Sequence, residues 1–127
     1  MNGLEQKGRR MNVKECYELI KGDYEDVKRR FLSDSRITRF ALLFLQDDSM
    51  DALRKAMEED NCEMAFQAAH TLKGVCLNLG LTGLYDPVNS VTELLRSSDL
   101  ETAKKEMLWL EREFTTTYEG LKTLGQS

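Results

Sequence analysis

The chain has 127 residues, of which 41% are hydrophobic and 31% charged, and its formal net charge is −4. This length allows one domain with a real core, and this composition is typical of a soluble globular protein rather than a disordered or membrane-embedded one. The negative charge argues against a nucleic-acid-binding protein, because affinity for phosphate backbones requires a concentrated excess of Lys and Arg.

The start of the chain and its cysteines indicate the compartment. The start, MNGLEQKGRRMN, is charged and no apolar segment follows it, so it is unlike a secretory signal. The sequence has no run of about 20 apolar residues, so no membrane-spanning helix is predicted. Cys16, Cys62 and Cys76 show no CxxC spacing, which predicts neither a disulfide framework nor a zinc site. These features favour a cytoplasmic protein with no membrane or metal-binding role.

Helical periodicity begins after a short leader. Residues 1–11 contain two glycines and four charges without periodicity, which predicts a mobile leader, and residues 12–127 are expected to form a single domain. Beyond the leader, a single proline and the lack of alternating stretches indicate an all-α protein. Two short helices are predicted first, over Val13 to Lys21, ended by Gly22, and from about Tyr24 to Leu32.

Two apolar patterns predict the next two helices. In the first, apolar residues recur at positions 37, 40, 41, 44 and 45, which defines one buried face. A polar break at residues 46–49 precedes a shorter helix with apolar positions 50, 53 and 57, which continues up to Asp60. Asn61 is then expected to cap the following helix, because its side chain can accept a hydrogen bond from a free backbone N–H.

The helix after Asn61 carries small and apolar residues in alternating steps of three and four, and Gly80 is expected to end it. A further helix repeats this scheme at positions 84, 88, 91 and 95. Pro87 leaves two alternatives for it: the helix begins at Asp86, with proline in its first turn, or a longer helix bends at the proline.

Asp99 is expected to open a long last helix. Its apolar heptad pattern runs from Leu100 to Leu124 and is broken only by Thr117. The apolar faces of these helices must pack against one another. The sequence therefore predicts an antiparallel up-down four-helix bundle with one or two short additional N-terminal helices.

The only histidine of the chain, His70, lies on the helix predicted between Asn61 and Gly80. It follows the core position Ala69 by roughly 100° around the helix, so its imidazole should be accessible to solvent. Residues three, four and seven positions away share its side of the helix, and they are Glu63, Phe66, Gln67, Lys73, Gly74 and Leu77.

Three of these neighbours are unusual for a solvated surface. Gly74 costs about 1 kcal/mol relative to alanine inside a helix, but it leaves room beside the histidine; it could instead permit close helix packing. Lys73 presents an ammonium that can meet an anion on the imidazole, and Leu77 adds apolar surface that a partner could cover. A neutral imidazole is a competent nucleophile at physiological pH and can accept a phosphoryl group.

The stretch Ala69-His70-Thr71-Leu72-Lys73-Gly74, followed by Leu79-Gly80-Leu81 and Leu84, resembles the signature of histidine-containing phosphotransfer (HPt) domains of bacterial multistep phosphorelays. Weaker similarity covers roughly residues 23 to 115. The resemblance implies that His70 is the phosphoacceptor, that Lys73 orients and neutralises the phosphate, and that Gly74 keeps the approach open. Family members often carry a glutamate near the position of Asn89 and a polar amide near that of Thr92, where this chain differs.

The resemblance also implies the partners. A receiver-domain aspartate would donate the phosphoryl group and another would accept it, and one of these receivers could belong to a hybrid sensor kinase. Magnesium is expected in the receiver, with no cofactor bound by this chain, and a monomer is expected. Docking would use an apolar centre from Leu77 and Phe66 with a polar rim from Gln67 and Lys73, although both apolar residues could simply cover the edge of the core.

Two other functions remain open on the residues alone. A helical adaptor could bind a receiver or kinase domain without carrying phosphate. A hydrolase could use Cys62 or Ser90 as its nucleophile with His70 as the base. The sequence contains no Gly-rich phosphate loop or nucleotide motif, so we expect a phosphocarrier that does not phosphorylate itself from ATP rather than an enzyme.

Overall fold

The structure is a computed structural model and describes residues 11–125. These residues form an all-α fold, as predicted, with helices α1 (Val13–Leu19), α2 (Tyr24–Phe31), α3 (Asp34–Leu43), α4 (Ser49–Glu58), α5 (Cys62–Leu79), α6 (Thr82–Arg96) and α7 (Leu100–Lys122). Short 3-10 turns follow α3 and α7, at Phe44–Gln46 and Thr123–Gly125. The predicted leader, apart from Met11, lies outside the described residues. Between residues 11 and 125, no helix combines the length and apolar character needed to cross a membrane.

Helices α4 to α7 form an antiparallel bundle, which confirms the predicted fold class. The most extensive packing joins α4 with α5, α5 with α6, and α6 with α7. The connections between them are too short for anything but a reversal of direction. Arg54 of α4 joins α7 directly: its Nε and Nη2 donate to the two carboxylate oxygens of Glu111 at 2.9 and 2.8 Å.

Side-chain caps set the helix boundaries that matter most for the site. The side chain of Asn61 accepts a 3.0 Å hydrogen bond from the backbone N–H of Met64, and Asp99 caps α7 in the same way through Thr102 at 3.1 Å. Gly80 ends α5 with a φ of 63°, a left-handed conformation that glycine adopts at little cost. The predicted start and end of the histidine-bearing helix are therefore confirmed.

The helix around Pro87 differs from one of the two predicted alternatives. It begins at Thr82 rather than Asp86, so Pro87 lies inside α6 and not in its first turn. An interior proline costs about 3 kcal/mol in an isolated helix. Leu84 and Val88, on the same side of α6, are fully buried, and we attribute the longer helix to this packing.

The end of the last helix differs in detail from the prediction, and the one polar residue within its apolar heptad pattern is buried. The α-helix ends at Lys122, and Leu124, although buried, belongs to the 3-10 turn that follows. Thr117, which interrupts the apolar heptad, is itself only 2% exposed. The last helix therefore keeps a continuous buried face through its threonine.

The N-terminal helices pack against the end of the bundle where α5 stops. The backbone N–H of Asp23 donates to the carbonyl of Gly80 at 2.8 Å, and the N–H of Gly83 donates to the carbonyl of Lys21 at 3.1 Å. These two hydrogen bonds join the turn between α1 and α2 to the turn between α5 and α6. The short helices thereby fix the position of the carboxyl end of α5.

Candidate functional site

His70 lies near the middle of α5, on its exposed side. Ala69 and Leu72, one position before it and two after it, are fully buried in the core. Because these two residues fix the rotation of α5 about its own axis, the imidazole points away from the bundle interior. Its face of the helix also carries Phe66, Gln67, Lys73, Gly74 and Leu77, and we refer to these residues together with His70 as the His70 face.

An aromatic contact supports the imidazole on its N-terminal side. The centroids of the Phe66 and His70 rings are 5.7 Å apart, with a tilt of 43° between the planes. The Phe66 side chain is half-buried against the core. The guanidinium carbon of Arg96, on α6, lies 4.9 Å from the centroid of the Phe66 ring. Phe66 therefore links the histidine to a cation of the neighbouring helix.

The space beside Gly74 is open. A Cβ atom built on this glycine would meet nothing within 4 Å outside its own helix backbone and chain neighbours. The alternative reading, in which Gly74 permits close helix packing, is therefore wrong. One turn beyond His70, the helix presents bare backbone to an approaching molecule.

Lys73 forms an ion pair with the neighbouring helix. Its Nζ lies 3.7 Å from Oε2 of Glu93 on α6, and its side chain is only 21% exposed. Glu93 also accepts a hydrogen bond from Arg96, whose Nε donates to Oε1 at 3.2 Å. The hydrogen bond from Arg96, followed by the charges of Arg96 and Lys73, lowers the pKa of the Glu93 carboxyl below its ordinary value. The Glu93 carboxylate thus interacts with two cations, and one of them, Lys73, lies one turn from His70 on α5.

The remaining residues of the His70 face are open to solvent. Gln67 is exposed, and its main-chain carbonyl accepts a 3.0 Å hydrogen bond from the hydroxyl of Thr71. Leu77 is 55% exposed, although it is a large apolar side chain. Arg30, on α2, donates to the main-chain carbonyl of Leu77 at 3.1 Å. A large apolar side chain therefore lies exposed on α5, at a residue whose main-chain carbonyl is contacted by α2.

The two positions at which the chain differs from the HPt pattern lie on α6. Thr92 is fully buried, and its hydroxyl donates to the carbonyl of Val88, one turn earlier, at 2.7 Å. Asn89 is half-buried. Within residues 11–125, neither residue makes a hydrogen bond to His70, so the imidazole is supported by Phe66 instead.

Sequence reasoning did not identify Glu93, Arg96 or Arg30 as part of this region. A glutamate three residues before an arginine is a common surface pair, and nothing in the sequence links it to the lysine of another helix. The pattern Glu93-x-x-Arg96 could have indicated a contact with Lys73 only if the register between α5 and α6 had been known. Arg30 contacts α5 through a main-chain carbonyl, which no sequence motif encodes.

The other candidate nucleophiles have partners away from the imidazole. The hydroxyl of Ser90 donates to Oε1 of Glu106 on α7 at 3.0 Å. The thiol of Cys62 lies 3.6 Å from the carbonyl oxygen of Leu95, to which it donates. In the part of the chain that the structure describes, neither forms a hydrogen bond with His70, which a nucleophile and base pair requires. The same part contains no group of three His, Cys, Asp or Glu side chains that could hold a metal ion.

Comparison with known families identifies this arrangement. The family model for the Hpt domain matches residues 42–122, which is more than half of the chain and includes the whole α4–α7 bundle. Comparisons with curated proteins and with solved structures gave no match. Hpt domains are phosphocarriers rather than catalytic enzymes, and they typically interact with receiver domains. The chain therefore belongs to the Hpt domain family and has a histidine phosphotransfer role in a phosphorelay.

Proposed function

We propose that His70 accepts a phosphoryl group from the aspartyl phosphate of one receiver domain and passes it to the aspartate of another. The observation that carries this proposal is that His70, the only histidine of the chain, is exposed on a helix within the matched residues. A phosphotransfer domain needs a histidine that a partner can reach. No other imidazole in this sequence can serve.

The chemistry requires one bond to form as another breaks. The lone pair of a neutral imidazole nitrogen attacks the phosphorus of the aspartyl phosphate, an N–P bond forms, and the P–O bond to the aspartate breaks. The aspartate leaves as a carboxylate, and the proton on the other ring nitrogen stays there or passes to water. The return reaction with a second receiver reverses these steps. Attack in line with the leaving oxygen needs open space, which the bare backbone at Gly74 supplies.

Lys73 is proposed to orient the phosphoryl group and balance its charge. It lies one turn from His70 on the same face, and its partly buried stem limits the range of its ammonium. We assign the magnesium ion of the reaction to the acidic pocket of the receiver.

The receiver is proposed to dock on the His70 face. Leu77 and Phe66 would provide an apolar centre, and Gln67 and Lys73 a polar rim. Such an interface is small, which suits a partner that must leave after each transfer. We further propose that the protein acts as a monomer in the cytoplasm, and that one receiver partner belongs to a hybrid sensor kinase.

The proposal is tested by incubating the protein with a panel of receiver domains carrying labelled phosphate. The wild type should gain acid-labile label from at least one receiver, and His70→Gln should gain none. Ser90→Ala is the matched control, because it removes a different candidate nucleophile, and it should label normally. Circular dichroism and thermal melting of His70→Gln should match the wild type, since an exposed side chain contributes little to stability.

Two outcomes would contradict the proposal. Label that persists on His70→Gln would mean that another residue is the acceptor. Receivers that bind the wild type tightly and never transfer label would favour an adaptor that carries no phosphate, and His70→Gln should then bind them equally well.

A further inference from the structure

Glu93 is the one ion-pair partner of Lys73 among the described residues. The distance of 3.7 Å between Nζ and Oε2 exceeds the usual range for an N–H···O hydrogen bond, and the carboxylate itself is 49% exposed. An ion pair at this distance is weak when its carboxylate is half exposed, even though the Lys73 side chain is itself partly buried. The ammonium can therefore leave Glu93 when a stronger anion comes within reach.

Such an anion arises on the same helix face when His70 is phosphorylated. A phosphoryl group on a histidine carries up to two negative charges and three acceptor oxygens, whereas a carboxylate carries one charge. Lys73 lies one turn from the imidazole, so Glu93 and the phosphoryl group would compete for one ammonium. Binding of Lys73 to one anion weakens its interaction with the other.

Arg96, the second cation, reduces the free-energy cost to Glu93 of losing Lys73. The Nε of Arg96 already lies 3.2 Å from Oε1, so the carboxylate keeps a counter-charge after Lys73 has left. Arg96 is itself held over the ring of Phe66, at 4.9 Å from its guanidinium carbon. The arginine therefore stays beside Glu93 while the lysine moves.

We infer that Glu93 is a positioning residue that holds Lys73 while His70 is free and competes with phosphohistidine for the same ammonium. This inference rests on the proposed phosphorylation of His70. Its consequence is that Glu93 weakens retention of the phosphoryl group and keeps the domain a carrier rather than a store. A carrier needs this balance, because a phosphohistidine that is too stable would not pass its phosphoryl group to the next receiver.

The direct test is Glu93→Gln, assayed by the equilibrium distribution of labelled phosphate between the protein and one receiver domain. Without competition from Glu93, the equilibrium should shift toward phosphohistidine by about two- to fivefold, the range expected from loss of an exposed ion pair. Glu119→Gln is the matched control. It removes the same charge and a comparable ion pair, with Lys122 at 3.4 Å on α7, and should leave the equilibrium unchanged.

A second pair of variants separates competition for Lys73 from the loss of a nearby negative charge. In a Lys73→Ala background, Glu93→Gln should shift the equilibrium by less than half as much. The phosphorus NMR signal of phosphohistidine should move on Glu93→Gln in the wild-type background and stay in place in the Lys73→Ala background. A purely structural role for Glu93 would not produce this dependence on Lys73.

Each contrary outcome has a distinct meaning. Normal labelling of the wild type with an unchanged equilibrium in Glu93→Gln overturns the inference and leaves the proposed function intact. An equal shift in both backgrounds also overturns it, because Glu93 would then act through its charge alone. Failure of the wild type to take any label at His70 overturns both the proposed function and the inference.

Discussion

The hydroxyl of Tyr17, in α1, donates a 2.6 Å hydrogen bond to the main-chain carbonyl of Leu79, the last residue of the histidine-bearing helix. The last carbonyls of a helix have no partners within that helix and must find them elsewhere. Besides the backbone N–H groups of the following turn, the N-terminal segment supplies such partners: Arg30 also donates to Leu77, and the N–H of Asp23 donates to Gly80, the residue after the helix. The segment before the matched residues 42–122 thus completes the end of α5.

We expect Tyr17→Phe to destabilise the protein by about 1–3 kcal/mol. Tyr17 is fully buried, so loss of its hydroxyl leaves the Leu79 carbonyl without this donor in an apolar environment. The free energy of unfolding in urea measures the effect. Tyr118→Phe is the control, because the Tyr118 hydroxyl makes no hydrogen bond within the described residues, and it should change stability by less than about 0.5 kcal/mol. Equal effects of the two substitutions would contradict the assigned hydrogen bond.

Two glycines should respond to alanine in opposite directions. A Cβ at Gly74 meets open space, so Gly74→Ala should stabilise the protein by about 0.5–1 kcal/mol through better helix propensity. A Cβ at Gly120 would overlap Cγ2 of the buried Ile20, so Gly120→Ala should destabilise by about 1–3 kcal/mol. Thermal and urea unfolding of both variants measure these opposite changes in stability. Destabilisation by Gly74→Ala would mean that the glycine has a structural partner.

The stability contribution of Asp34 should depend on pH. Its carboxylate accepts hydrogen bonds from the Tyr24 hydroxyl and from Nζ of Lys28, the latter at 2.9 Å. These hydrogen bonds lower the pKa of Asp34 below its ordinary value of 3.8; the bond from Tyr24 is the largest cause and the bond from Lys28 the second. A carboxyl whose pKa is lowered by folding stabilises the folded state above its unfolded pKa and loses this contribution as pH falls through its folded pKa.

We therefore expect wild type to be more stable than Asp34→Asn at neutral pH, with the difference shrinking as pH falls below about 3.8. Urea unfolding across this pH range measures the difference. In a Tyr24→Phe background the pH dependence should be weaker, because the largest cause of the lowered pKa is absent. A difference that stays constant with pH would show that the carboxylate charge contributes nothing.

The position of His70 could be predicted because it depends on one helix only. The cap at Asn61, the stop at Gly80 and the spacing of small apolar residues fix both the length and the rotation of α5. These are local properties of the chain, and they determine which side chains are exposed. The open space at Gly74 follows from the same rotation.

The contacts of Lys73 could not be predicted, because they depend on two helices. Whether its ammonium meets Glu93 is decided by the register of α5 against α6, which arises from packing of the whole bundle. The extent of α6 has the same origin, since burial of its apolar residues outweighs the local preference of Pro87. Local sequence rules describe each helix separately, and the charged surroundings of the site arise between helices.

Substitution of Gly74 by a long side chain should slow phosphotransfer without unfolding the domain. Gly74→Gln fills the open space beside His70, so a receiver could no longer bring its aspartyl phosphate in line with the imidazole. We expect the rate of label transfer to His70 to fall at least about tenfold, a size typical of misplaced reacting groups. A time course of label transfer from one labelled receiver, quenched at successive times, measures the rate. Urea unfolding of Gly74→Gln should show a stability no lower than that of the wild type.

Two controls make this result specific to the approach of the receiver. Gly74→Ala adds a single methyl group at the same position and should slow transfer much less than Gly74→Gln. Met64→Gln introduces the same side chain at a position of α5 that is 54% exposed, six residues before His70, and should leave the rate unchanged. Equal rates for wild type and Gly74→Gln would mean that a partner does not close over this part of the helix, and the docking surface would then have to lie on the Phe66 side of the imidazole.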